Sequence, residues 1–66
     1  GGNAACEVNA ANEVVNLAFR QGNCGFLQMA EVIAKTLERV PYIKEPSLED
    51  YLETDRIARI TATELL

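Results

Sequence analysis

Apolar residues recur at helical spacing along the first third of the chain. Ala4, Val8, Ala11, Val15 and Ala18 fall three or four apart, with Val14 and Phe19 widening the stripe. The spacing predicts an amphipathic helix from Ala4 to Arg20, with Asn3 as its N-cap and Asn9, Asn12, Glu13, Asn16 and Arg20 on the other side. Gly22 stands where a left-handed C-terminal cap belongs, because glycine takes positive φ without a Cβ clash. Glu7 breaks the pattern. It reads as the edge of the apolar arc, between Val14 and Ala18, where a carboxylate is expected to reach water, meet a base or mark a covered surface.

A second helix is predicted from Leu27 to Val40. Met29, Val32, Ile33, Leu37 and Val40 share a face, and Glu31 and Lys35 stand four apart in the order that favours an ion pair. Pro41 ends it, since proline lacks an N–H and restricts the residue before it. Residues 41 to 46 read as a connector with Tyr42 and Ile43 as anchors into the core. Ser47, with Asp50 three residues on, resembles a capping box, opening a short third helix from Leu48 to Glu53 that turns Leu48, Tyr51 and Leu52 inward. Thr54-Asp55 offers a second cap for a final helix from Arg56 to the end, lined by Ile57, Ala58, Thr61 and Leu65 with Ala62 beside them, and with Ile60 off the stripe. The expected fold is all-α: one domain over residues 1–66, a small bundle of three to four short helices.

Composition narrows the functions. The 66 residues are 48% hydrophobic and 24% charged, which suits a globular chain, and no apolar run is long enough to span a membrane. A net charge of −4 leaves no footprint for nucleic acid and is repelled by anionic membranes. No charged, then apolar, then small-residue order opens the chain, so no secretory signal is expected, and the start at Gly1-Gly2 reads as a cut from something longer. Cys6 and Cys24 make no metal-binding spacing and histidine is absent; two cysteines permit one disulfide, but two reduced thiols in a cytoplasmic protein are the favoured expectation. Acids gather at Glu45, Glu49, Asp50, Glu53 and Asp55, without the loop that wraps calcium, and read as a solvated helix face. Ser47-Leu48 resembles the attachment serine of acyl-carrier proteins, but Pro46 replaces the usual Asp and an N-cap explains the serine. Three asparagines in the first helix are poor helix formers; they read either as a solvated face or as an interdomain contact.

Gly1-Gly2, then Val8-Asn9-Ala10-Ala11-Asn12-Glu13-Val14, Ala18-Phe19, Gly22 and Gly25-Phe26 resemble the C-terminal helical domain of the 1-deoxy-D-xylulose 5-phosphate reductoisomerase family. Leu37-Glu38, Ser47-Leu48-Glu49-Asp50, Asp55 and Ala58-Arg59 continue the resemblance in order. Two positions depart from it: Ala5 stands where the family commonly has proline, and Glu7 where it has an apolar residue. The resemblance implies an NADPH-dependent oxidoreductase of isoprenoid biosynthesis. Such an enzyme converts 1-deoxy-D-xylulose 5-phosphate to 2-C-methyl-D-erythritol 4-phosphate with magnesium or manganese. It also implies that cofactor, metal and phosphate are held by other domains, so no catalytic, cofactor-binding or metal residue carries over and the chain alone is expected to be inactive. Its partners are then the remaining domains of the same enzyme. Asn9, Asn12, Glu13 and Asn16 are the candidate interdomain contact. An apolar groove along Val8, Val14, Val15 or the second helix is expected to be uncovered in isolation, with a homodimer as one way to close it. The alternative is a free-standing helical interaction module.

Overall fold

The computed structural model describes residues 2–66; Gly1, half of the Gly1-Gly2 pair, lies outside them. Three helices follow in order: α1 Ala4–Arg20, α2 Phe26–Arg39 and α3 Leu48–Leu65. The Cys6 thiol donates to Tyr51 O, and Ala10 packs beside Ala58, so α1 and α3 run in the same direction with α2 returning between them. The bundle measures 36 × 17 × 16 Å. Its surface of 4398 Å² exceeds the about 4,100 Å² typical of a folded monomer of this mass.

Local chemistry sets the ends. Gly22, at φ +78°, closes α1: its N–H donates to Phe19 O at 3.0 Å and the Asn23 N–H to Ala18 O at 2.8 Å. Those are the two bonds of a Schellman cap. α2 starts at Gly25, whose N–H donates to Gln28 Oε1, and stops at Val40, held extended by Pro41. At α3 the capping box forms: Asp50 N–H donates to Ser47 Oγ at 3.1 Å and Ser47 N–H to Asp50 Oδ2 at 2.9 Å. That box gives Ser47 the capping role expected of it.

The two helices expected after Pro46 are one. Thr54 does not cap a new start; its side chain is buried inside α3 and its Oγ1 accepts from Asn3. No glycine or proline lies between Leu48 and Leu65 to stop the helix.

The core is made of small side chains. One cluster joins Ala11, Val15, Val32 and Ala62, with Val14, Met29, Ile33 and Leu65 packed around it. A second joins Ala10, Val40 and Ala58, with Ile57 beside it. The buried arc of α1 is therefore turned toward Ala10 and centred on Glu7, while Ala4, Val8 and Phe19 are exposed. Alanines from both helices fill the seam between α1 and α3, Ala10 beside Ala58 and Ala11 beside Ala62.

Other inward anchors also differ from expectation. Leu48, Tyr51 and Leu52 face solvent, because α3 turns Thr54, Ala58 and Ala62 inward instead. Tyr42 is exposed as well, lying over Gly2; Val40 is the buried anchor and Ile43 is half-buried. Of the residues expected to line an uncovered groove, Val15 is fully buried against α2 and α3, Val14 is half-buried and Val8 stays exposed. Large exposed apolar side chains sit instead at opposite ends of the rod: Phe26 (76%) and Leu27 (81%) at one, Leu48 (75%) and Leu52 (64%) at the other.

Candidate interdomain face

Along α1 the polar residues divide between solvent and α3. Asn16 Nδ2 donates to Asn12 O at 2.8 Å and to Asn12 Oδ1 at 2.9 Å, so this pair fixes its own geometry one turn apart on an exposed face. Arg20 Nε donates to Asn16 O at 3.4 Å, extending the ladder by a turn. Glu13 turns toward α3, where its Oε2 accepts from Arg59 Nη2 at 2.6 Å. Arg59 also donates through Nε to Asp55 Oδ2 at 2.9 Å. One guanidinium thus joins two carboxylates on two helices, and these bonds, Asp55 first and Glu13 second, raise the Arg59 pKa further above its ordinary value.

Asn12, Glu13, Val14, Asn16, Leu17, Arg20 and Arg59 line an open groove of about 470 Å³. Three of the four candidate residues meet there; Asn9 is exposed and does not line it. The sequence reading missed Arg59 as a partner of Glu13. The Asp55–Arg59 spacing was a local signal for half of the arrangement, but the bond to Glu13 spans 46 positions and has none. The ion pairs among the described residues are Arg59–Glu13, Arg59–Asp55 and Arg56–Glu53, so the expected Glu31–Lys35 pair is not among them.

Asn3, expected as an N-cap, makes no side-chain cap bond. It is fully buried, and its Nδ2 donates to Pro41 O at 3.0 Å and Thr54 Oγ1 at 2.9 Å. Its Oδ1 accepts from Ile43 N–H at 2.7 Å. The start of α1, the connector and α3 are therefore tied through one carboxamide. Cys6 and Cys24 are free thiols at opposite ends of α1, separated by more than about 20 Å of helix rise. Burial pushes the Cys6 thiol pKa up, with Asp55 and Glu7 adding to the rise and Arg59 opposing it.

Among the described residues, no three Cys, Asp or Glu side chains converge as a metal ion needs. Glu13 and Asp55 are already bound by Arg59, so the donors present do not fit a divalent cation. No helix among the described residues is long and apolar enough to cross a membrane.

The DXP reductoisomerase C-terminal domain family matches residues 1–61. The chain belongs to that family. Proteins described as 1-deoxy-D-xylulose 5-phosphate reductoisomerase are similar to it throughout. The one from Phocaeicola vulgatus is 54% identical, with 98% of this chain covered, and the one from Bacteroides thetaiotaomicron is 50% identical over all of it. A Bacillus cereus reductoisomerase is 41% identical, again over the full chain. Each comparison covers only 17% of the relative, so the chain spans about one sixth of their length. No solved structure matches it. Within the DXP reductoisomerase C-terminal domain family, the Asn-Ala-Ala-Asn-Glu run of this chain spans one buried and one exposed side of α1: Ala10 and Ala11 are interior, and Asn9, Asn12 and Glu13 are outside.

Proposed function

We propose that this chain serves as the non-catalytic C-terminal domain of a 1-deoxy-D-xylulose 5-phosphate reductoisomerase. The whole enzyme is a cytoplasmic, NADPH-dependent oxidoreductase that forms 2-C-methyl-D-erythritol 4-phosphate for isoprenoid biosynthesis, using magnesium or manganese bound elsewhere in the protein. The observation that carries this reading is the family match over residues 1–61. In this reading the remaining domains of the same polypeptide abut the groove of Asn12, Glu13, Asn16 and Arg59, with Asn9 at its margin. The exposed apolar ends at Phe26 and Leu27 and at Leu48 and Leu52 are covered in the whole enzyme. In isolation they offer a route to a homodimer.

The test is reconstitution. An enzyme truncated before this domain is mixed with the separate chain, and NADPH oxidation is followed with substrate. Turnover that returns on adding the chain, with none from the chain alone, is the expected result. Full turnover by the truncated enzyme overturns the reading and moves weight to a free-standing helical interaction module.

A further inference from the structure

Glu7 lies at the centre of the buried arc of α1, one turn after Asn3 and one turn before Ala10 and Ala11. It is 3% exposed, and its Oε1 has no hydrogen-bond partner among the described residues. The other buried polar side chains are engaged. Asn3 uses both amide hydrogens and its oxygen, Thr36 donates to Val32 O at 2.7 Å, and Thr54 accepts from Asn3. A solitary ionised carboxylate in such a place is strongly disfavoured, whereas a neutral carboxyl is tolerated and carries an O–H donor.

Among the described residues, no packed element brings a cation to it. On α1, Cys6 is the neighbouring titratable group, and Glu13 is bound by Arg59. α2 buries Val32 and Thr36, while its charged side chains Glu31, Lys35, Glu38 and Arg39 are exposed. In the connector, Lys44 and Glu45 are exposed. On α3, Arg59 is held by Asp55 and Glu13 and Arg56 by Glu53, while Asp50 closes the cap of its own helix. The α3 acids Asp50 and Glu53 line a separate groove with Val40, Thr54 and Ile57 and supply no cation to Glu7.

We propose that Glu7 is a proton-operated lock: as the neutral acid it seats within the bundle, and losing its proton loosens the first half of α1 from α2 and α3. Burial raises the Glu7 pKa above the ordinary carboxylate value, in keeping with this role. The sign follows from linkage. The stability is fully present below the unfolded-state pKa of about 4.3. It is lost as pH rises through the higher folded-state value. The lock therefore closes on acidification, opposite to the usual paired carboxylate.

The experiment uses the full-length protein that contains this chain. Amide exchange at Ala10 and Ala11 is measured from about pH 4 to about pH 8, corrected for the intrinsic pH dependence, in wild type and Glu7→Gln. Protection in the wild type is expected to fall about tenfold for each pH unit between the unfolded and folded pKa values. In Glu7→Gln it stays level. Matching profiles in the two proteins overturn the proposal. A direct titration of the Glu7 carboxyl by carbon NMR needs no variant: a midpoint raised above the ordinary carboxylate value is expected, and an ordinary midpoint overturns the proposal whether or not Glu7→Gln folds.

Discussion

The carboxamide of Asn3 donates to Pro41 O and Thr54 Oγ1 and accepts from Ile43 N–H. Asn3→Ala leaves all three without that partner, Thr54 Oγ1 in the buried interior and Pro41 O and Ile43 N–H at its part-buried edge. Each stranded buried group costs about 1–3 kcal/mol, so a loss of at least about 2 kcal/mol is expected, read as a lower urea midpoint with unchanged slope. Arg59 is the useful contrast. Its two ion pairs are partly exposed, so Arg59→Ala is expected to shift the same midpoint by less than about 1 kcal/mol. The position of Asn3 at the start of α1 was legible in the sequence; its role was not. A cap is encoded by neighbours three residues away, whereas the partners of Asn3 lie 38 to 51 positions on. Glu7 was misplaced for a related reason. Its neighbours Val14 and Ala18 were recognised, but only the packing of Ala10 on Ala58 makes the space between them the centre of the arc.

Helix boundaries marked by backbone chemistry were readable. Gly22, Pro41 and Ser47 each act within a few residues, and all three end or begin an element where expected. Ser47 and Thr54 look alike as caps in sequence, yet only Ser47 caps, because Thr54 is drawn inward by Asn3. The inward faces of α3 were harder still. Leu48, Tyr51 and Leu52 are more apolar than Thr54, Ala58 and Ala62, but the seam with α1 admits small side chains. That seam gives a direct prediction. Ala58 is fully buried against Ala10 and Val40, so Ala58→Leu forces the helices apart and is expected to destabilise the domain by about 1–3 kcal/mol. Thermal unfolding followed by circular dichroism measures it, with Ile60→Leu, on an exposed site of the same helix, as the near-neutral control.

Across the whole molecule, fold class and helix order were within reach of the sequence, since glycine, proline and apolar period set both. The candidate face was legible in part: Asn12, Glu13 and Asn16 converge on one groove, while its α3 side, Arg59, required the tertiary arrangement. The core holds few large side chains, and the largest fully buried ones are Val15, Asn3 and Thr36. Polar bonding therefore does part of what apolar volume does in larger domains. The Asn3 tie also bears on the order in which the chain assembles. Its bonds close loops of 38, 40 and 51 residues, contacts that form slowly because chain entropy opposes them. Local contacts across the α1–α2 turn have no such delay, so the tie is expected to be absent from the folding transition state and to form after it. Asn3→Ala should then speed unfolding by nearly the whole of its equilibrium effect while refolding keeps its rate. A slowed refolding limb in stopped-flow kinetics would instead place this end of the bundle in the nucleus, with the connector organised before the helices finish packing.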